Sequence, residues 1–386
     1  MKKILGIVNF EDNHVSIEGI SKYRTVSAVS FLGRYRIVDF VLSNMVNSGI
    51  DQIKLLVKDK PRSLIEHISA GQYNINSKHG SMQILYTDDQ IINDLYFTDI
   101  ALLKQYASTI KKSGQQYVVI APSYMICRIN YQDVVTQHIK SGADITVVYK
   151  DVDDGDKRFI GCWEYDFDED GKLNMFKISH GSVNEKRISM ETYVMTTETL
   201  LKLIDDAFNQ SAIYSLKDYI IYNMAKINIR GYKYEGFLEC VNSFKEYFRI
   251  NMDLISHKKA VELFDKEWPV YTKTNDEPPE TFTAEAKVKN SLVANGCIVK
   301  GELDNCVLGR EAKVGKNAVL KNCIILPNVV IEDGAHLEYV VVDKHAHIVN
   351  VKEIVGSKDD IKYIRRNDRN AAKVSPITIN SCTSIT

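Results

Sequence analysis

The sequence predicts an α/β domain with a mostly parallel sheet, followed by a parallel β-helix. Three observations carry this expectation. Over about the first 250 residues, apolar runs of strand length alternate with stretches of helical spacing. Such alternation builds a mostly parallel sheet covered on both faces. A proline-marked break follows. Beyond it, aliphatic residues recur every six positions, the period of a parallel β-helix.

The first strand is Lys3–Phe10, an apolar run that meets Glu11-Asp12-Asn13-His14 with no small-residue cleavage site, so it reads as a strand and not as a signal peptide. Arg36–Ser48 places Ile37, Phe40, Val41, Asn44 and Met45 at helical spacing, with Gly49 at its end. Gln52–Val57 is a strand, and Pro61–Ala70 a helix with its proline near the start. Ile100–Lys112 reads as one helix, Gln116–Ala121 as a buried strand, Tyr131–Lys140 as a helix ending at Gly142, and Asp144–Tyr149 as a strand. Parallel sheets of this kind bind ligands at the carboxyl ends of their strands.

The α/β domain is expected to span 1–255. Trp268-Pro269 and Pro278-Pro279 mark 256–284 as a linker, because prolines disfavour regular structure. The repeat domain then covers 285–386 with its tail. Leu308, Val314, Leu320 and Leu326 are spaced by six, as are Val319, Ile325, Ile331 and Leu337. Three hexapeptides per coil give an expected three to four coils over about sixty residues. Residues 351–386 are less regular.

Composition narrows the function. The 386 residues suggest two domains or three at about 150 residues each. Lys and Arg total 49 against 50 Asp and Glu, a net charge of −1, which argues against nucleic acid as the main partner. Mean hydropathy is −0.20 and no apolar run reaches membrane-spanning length, so no membrane segment is expected. The seven cysteines form no CxxC pair and read as buried apolar residues of a reducing compartment, the cytoplasm. Asp343-Lys344-His345-Ala346-His347 reads as a solvated turn, since a zinc site needs further converging ligands.

The run Phe31-Leu32-Gly33-Arg34-Tyr35-Arg36-Ile37-Val38-Asp39-Phe40-Val41-Leu42-Ser43-Asn44 with Asn47-Ser48-Gly49-Ile50 resembles a block of bacterial ADP-glucose pyrophosphorylase, or glucose-1-phosphate adenylyltransferase. Ser189-Met190 with Tyr193, Asn251-Met252-Asp253-Leu254, Trp268-Pro269-Val270-Tyr271-Thr272 and Asn290-Ser291-Leu292-Val293 extend the resemblance over nearly the whole chain. It implies a nucleotidyltransferase-type, Rossmann-like domain and a left-handed β-helix.

Nucleotidyl transfer needs a glycine-rich phosphate cradle, cations for the transferred phosphoryl group and carboxylates for Mg²⁺. Set against the family's motifs, each part is altered. No glycine lies between Gly6 and Gly19, and Glu11, Asp12 and Glu18 repel a triphosphate. The motif lysine of the next segment is Val26, and the metal-binding Asp after the Val118–Ala121 strand is Tyr124. The sugar-phosphate lysine is Ser179, with Lys177 one pleat away, about 7 Å. The second metal Asp is Cys240, with Glu239 alternating to the opposite face.

These losses make the chain most like the family's non-catalytic GlgD-type regulatory subunit in glycogen biosynthesis. The resemblance implies a homo-oligomer alone and a heterotetramer with a catalytic subunit, in which only that partner holds Mg²⁺. It further implies a sugar-phosphate or phosphate effector between the domains, held by Arg24, Arg36, Lys362, Arg365, Arg366 and Arg369. Lys362–Arg369 also reads as a solvated helix face. Two alternatives stay open: an active adenylyltransferase with a site rebuilt on Asp151, Asp153 or Glu239, and a stand-alone sensor of a sugar phosphate or nucleotide sugar.

Overall fold

The computed structural model describes residues 2–9, 15, 17, 19–57, 60–69, 71, 73, 75, 80–86, 98–211, 213–274, 276–349 and 353–367. The chain forms two compact units that are not contiguous in sequence. The first combines Met1–Val15, Ile37–Asn242 and Glu262–Tyr271; the second combines Ser16–Arg36, Ser243–Val261 and Thr272–Thr386.

The first unit is built on a nine-stranded sheet. Ile4–Asn9 lies between Gln52–Leu56 and Tyr117–Pro122, parallel to both, and Ser81–Leu85 extends the parallel part beyond Gln52–Leu56. Ile4–Asn9 and Tyr117–Pro122 are buried on both faces and therefore read as nearly unbroken apolar runs. Lys186–Thr196 enters antiparallel against Tyr117–Pro122. It also pairs with Ile145–Val152 and with the hairpin Trp163–Phe167 and Leu173–Ile178, so this end of the sheet is largely antiparallel.

Local chemistry explains the helix limits. Asn130 caps Tyr131–Ser141, its side chain accepting from the Gln132 N–H at 3.0 Å, and Gly142 ends the helix at φ 62°. The helix expected over Ile100–Lys112 is instead two, Asp99–Gln105 and Ala107–Lys112. They break at Tyr106, which leaves helical dihedrals and donates its hydroxyl to the Tyr86 carbonyl at 2.9 Å.

The second unit contains the left-handed parallel β-helix, three stacked sheets of five strands each, running from Thr281–Phe282 to Lys362–Ile364. It therefore has more coils than the three to four expected, because it begins inside the stretch read as a linker and continues through Glu353–Val355 and Lys362–Ile364, in the stretch read as less regular. That stretch also holds the helix His257–Leu263.

Coil length differs from expectation as well. In the central coils Leu303, Leu320 and Leu337 stack directly, an advance of 17 residues, not 18. Two sides take six residues and one takes five. In these coils the shortened side shifts the hexad phase, so Ile325 rather than Leu326 stacks on Leu308. This accounts for the two interleaved series in the sequence. Corners need left-handed backbone, and Asn290, Asn305 and Asn322 supply it at φ 43–54°. Asn305 Nδ2 also donates to Asn322 Oδ1 at 2.7 Å. Cys297, Cys306 and Cys323 are buried in the coil core, and the six cysteines of the described residues are all free.

The segment Ser16–Arg36 belongs with the second unit because its contacts lie there. The Leu32 N–H donates to Asn251 Oδ1 at 2.9 Å, and the Tyr247 hydroxyl donates to the Ser30 carbonyl at 2.7 Å. Gly33 has φ 76°, and a Cβ on it would meet the Leu308 carbonyl at 2.7 Å, so two constraints require glycine in this motif. Among the described residues no helix is long and apolar enough to cross a membrane.

Candidate functional site

In the first unit, the parallel strands end at Asn9 and Pro122. The loop after Asn9, expected to replace the phosphate cradle, falls mostly outside the described residues. Asn9 Nδ2 donates to Asp99 Oδ2 at 3.0 Å, and Asp99 Oδ1 accepts from the Leu216 N–H at 2.8 Å. Burial raises the Asp99 carboxyl from 3.8 to about 6, against the lowering pull of these bonds.

The raised value fixes a direction. Asp99 favours the fold fully below pH 3.8, and this contribution is lost as pH rises through about 6. Replacement by Asn removes the ionisation and keeps an acceptor. Relative to wild type, Asp99→Asn should gain about 2 kcal/mol between roughly pH 4.5 and pH 7.5. Urea unfolding at both pH values measures this. A difference that does not change with pH would refute it.

Tyr124 follows the Tyr117–Pro122 strand, and Cys240 lies on Leu238–Cys240, which pairs antiparallel with Met125–Cys127. Cys240 is registered on Met125, and the Val241 N–H donates to the Tyr124 carbonyl at 3.0 Å. The fold thus brings together the two positions that the resemblance assigns to metal-binding acids. One carries a phenol and the other a thiol, both buried. Mg²⁺ needs hard, preferably anionic oxygens, and these side chains do not fit it. Glu239, expected to turn away from Cys240, is held by Arg158, with Nη2 at 3.0 Å from Oε1. Among the described residues, no group of three or more His, Cys, Asp or Glu could hold a metal.

Glu191 is a residue that sequence reasoning missed. Tyr124 donates its hydroxyl to Glu191 Oε1 at 2.6 Å, and Lys217 Nζ lies 3.4 Å from Oε2 and 4.9 Å from the centre of the Trp163 ring. Glu191 has φ 44°, in the left-handed region that favours glycine, where the Lys186–Thr196 strand slips register. The available signal was a glutamate between Met190 and Thr192, within a block read only for its flanking residues. A carboxylate bridging a phenol and an ammonium closes this part of the site to a second anion.

Ser179 is fully buried and accepts from Lys186 Nζ at 2.7 Å, so an ammonium does reach this position, from another strand. Lys177 pairs instead with Glu164 at 3.8 Å.

The anion-site residues described belong to the second unit. Val26 lies on the short 3-10 turn Val26–Ala28. Arg24, expected to hold an anion, is committed elsewhere: it is 2% exposed and donates to both oxygens of Asp343 and to the Ile20 carbonyl. Asp343, expected in a solvated turn, is 0% exposed and also accepts from the Tyr363 hydroxyl at 2.7 Å. Lys362 is paired with Asp360. The expected helix face is instead the strand Lys362–Ile364, followed by exposed Arg365 and Arg366. Arg369 lies outside the described residues.

What gathers there is a different set. Burial, then neighbouring Arg36, Arg24 and Arg366, push the Lys344 ammonium well below its usual range, with Asp343 opposing. Arg36, Arg24 and Arg366 thus lie near enough to Lys344 for their like charges to disfavour its charged form. Lys344 went unrecognised because its sequence neighbours suggested a solvated turn.

Residues 17–233 match the nucleotidyl transferase family, and residues 278–372 match the GlmU-like C-terminal hexapeptide family. The chain is 29% identical to the glycogen biosynthesis protein GlgD of Bacillus subtilis (strain 168), covering 94% of this chain and 96% of that protein. It is 31% identical to GlgD of Geobacillus stearothermophilus, over 82% of this chain and 83% of that one. It is 29% identical to the glucose-1-phosphate adenylyltransferase of Clostridium perfringens (strain 13 / Type A), over 81% and 80% respectively.

Proposed function

Because the chain belongs to the nucleotidyl transferase family, among its glucose-1-phosphate adenylyltransferases and GlgD proteins, we propose that it is a non-catalytic regulatory subunit of ADP-glucose pyrophosphorylase. Its process is glycogen biosynthesis, the role named for its GlgD relatives. In this reading it pairs with a catalytic homologue in a heterotetramer, associates with itself when alone, and raises the partner's activity. Mg²⁺ and the chemistry belong to the partner.

The observation that carries the reading is that Tyr124 and Cys240 stand at adjoining backbone positions and carry a phenol and a thiol where the resemblance puts two metal-binding carboxylates. Glu191 then supports it, since its carboxylate is already engaged by Tyr124 and Lys217. A rebuilt active site on Asp151, Asp153 or Glu239 is less well supported: Glu239 is bound by Arg158 and Asp151 by Lys233 at 3.2 Å. The cationic cluster of Arg36, Lys344 and Arg366 is proposed as the site of a phosphate or sugar-phosphate effector. Arginine suits such a ligand through its planar fork of donors.

Co-expression with a catalytic homologue tests both parts. The two chains should co-elute as one heteromer that is more active than the homologue alone. Arg366→Ala in this chain should weaken effector binding to the heteromer by about 1.5–3 kcal/mol without separating the chains. Failure to co-elute would overturn the pairing; an unchanged effector affinity would remove Arg366 from the site.

A further inference from the structure

In the second unit, the turn at 343–346 is tied down through its backbone. The Asp343 N–H donates to the Ile364 carbonyl at 2.9 Å, and the Asn367 N–H donates to the Lys344 carbonyl at 3.2 Å. The second bond sets Arg366, the residue before Asn367, close to Lys344. Arg24 reaches Asp343, the residue before Lys344, and donates to both of its carboxylate oxygens. Chain geometry therefore brings two arginines to the neighbourhood of Lys344.

The acid next to Lys344 is already engaged. Asp343 Oδ1 accepts from Arg24 and from the Lys344 backbone N–H at 2.7 Å, and Oδ2 accepts from Arg24 and from the Tyr363 hydroxyl at 2.7 Å. Among the described residues, no carboxylate forms an ion pair with the Lys344 ammonium. The Lys344 side chain is half-buried, so it is not sealed from solvent.

The charges around the turn act in the same sense. Burial lowers the Lys344 pKa well below its usual range, Arg36 and Arg24 add to this, Asp343 opposes it, and Arg366 lowers it further. His345 is lowered by burial, then by Arg366 and Lys344, so successive residues feel the same cations. An amine kept neutral by burial and by neighbouring cations is a nucleophile. Those cations also suit an anion formed on its nitrogen, because an arginine fork donates two parallel hydrogen bonds to a planar carboxylate.

We propose that Lys344 is a carbamylation site, at which its amine adds dissolved carbon dioxide and the carbamate is held by Arg366 and Arg36. The nitrogen lone pair forms a C–N bond, one C=O electron pair moves onto oxygen, and the nitrogen releases one proton to water. No oxidant or reductant takes part. The product is a monoanion at a position where a cation is repelled. Carbon dioxide is small and uncharged, which suits a half-buried amine among charges, and Arg24 stays with Asp343. This inference does not rest on the effector reading, since the anion here is covalent and forms without a free one.

The test treats the full chain with isotopically labelled bicarbonate, in equilibrium with carbon dioxide, in phosphate-free buffer at neutral pH. A trialkyloxonium salt traps carbamates as esters, and peptide mass spectrometry locates them. Lys344 should carry the label, and the exposed Lys313 and Lys316 at least about tenfold less, the equivalent of one pKa unit. Arg366→Ala should cut the label at Lys344 at least about threefold. Bicarbonate should also raise the urea midpoint of the second unit relative to chloride at equal pH and ionic strength. Lys344→Arg keeps a charge but offers no neutral amine, and it should abolish that rise. No label at Lys344, or equal label at Lys313 and Lys316, would overturn the proposal, and both are read on the unaltered chain. A bicarbonate effect undiminished in Lys344→Arg would show that other amines cause it and would overturn the stabilising role of this carbamate. Unchanged label in a folded Arg366→Ala protein would remove Arg366 as its holder. Phosphate titration of the same chain decides the effector reading separately.

Discussion

Given ATP, glucose 1-phosphate and Mg²⁺, the purified chain alone should form no ADP-glucose above background. Enzymes commonly turn over at about 1–1000 per second. Loss of one preorganised electrostatic group costs about 100- to 1000-fold, and several are replaced here. Tyr124 and Cys240 supply neither of the two metal-binding charges, and Glu191 is engaged by Tyr124 and Lys217. Turnover should therefore fall by at least about 10⁴-fold from a typical member.

Tyr124→Asp should not rescue activity. It would place a carboxylate beside Glu191 while Cys240 remains a thiol. Adding Cys240→Asp restores both acids but leaves Ser179 and the altered first loop, and parts that act as a unit do not rescue one another singly. ADP-glucose formation by the unaltered chain at about 1 per second or more would defeat the non-catalytic reading. Coupled pyrophosphate release measures it.

The parts of the fold legible in sequence were those governed by local period. Ile4–Asn9 and Tyr117–Pro122 are apolar without interruption because both faces are covered. The β-helix showed itself through its hexad spacing, but its 17-residue coil did not, since a five-residue side looks like noise until strands are stacked. The hairpin Trp163–Phe167 and Leu173–Ile178 was missed because one of its faces is charged. Strand pairing, not apolar alternation, defines it.

The site was legible by position and less so by charge. Motif comparison marked Tyr124 and Cys240, which the fold does place together. It could not show that Lys186 reaches Ser179 or that Glu191 reaches Tyr124, because both contacts join residues from different strands or loops. It assigned Arg24 to an anion because the resemblance implies an effector-binding basic residue at that position. The acid that takes Arg24 stands 319 residues away in sequence, beyond the reach of any local pattern.

That pair should also be a large single contributor to the stability of the second unit. Asp343 is fully buried, receives both Arg24 contacts, and accepts from the Tyr363 hydroxyl and the Lys344 N–H. Asp343→Ala would leave the Arg24 guanidinium buried with only the Ile20 carbonyl among these partners. Breaking a buried pair from one side costs about 3–5 kcal/mol. Urea unfolding, followed by a probe on the second unit, should show a loss of that size. The double change Arg24→Met and Asp343→Leu, with Tyr363→Phe to remove the stranded hydroxyl, should recover most of it, because apolar groups of similar volume often replace a buried pair at little net cost. A loss below about 1 kcal/mol for Asp343→Ala would place the pair in solvent-like surroundings. Arg24 would then again be open to an anion, as the resemblance implied.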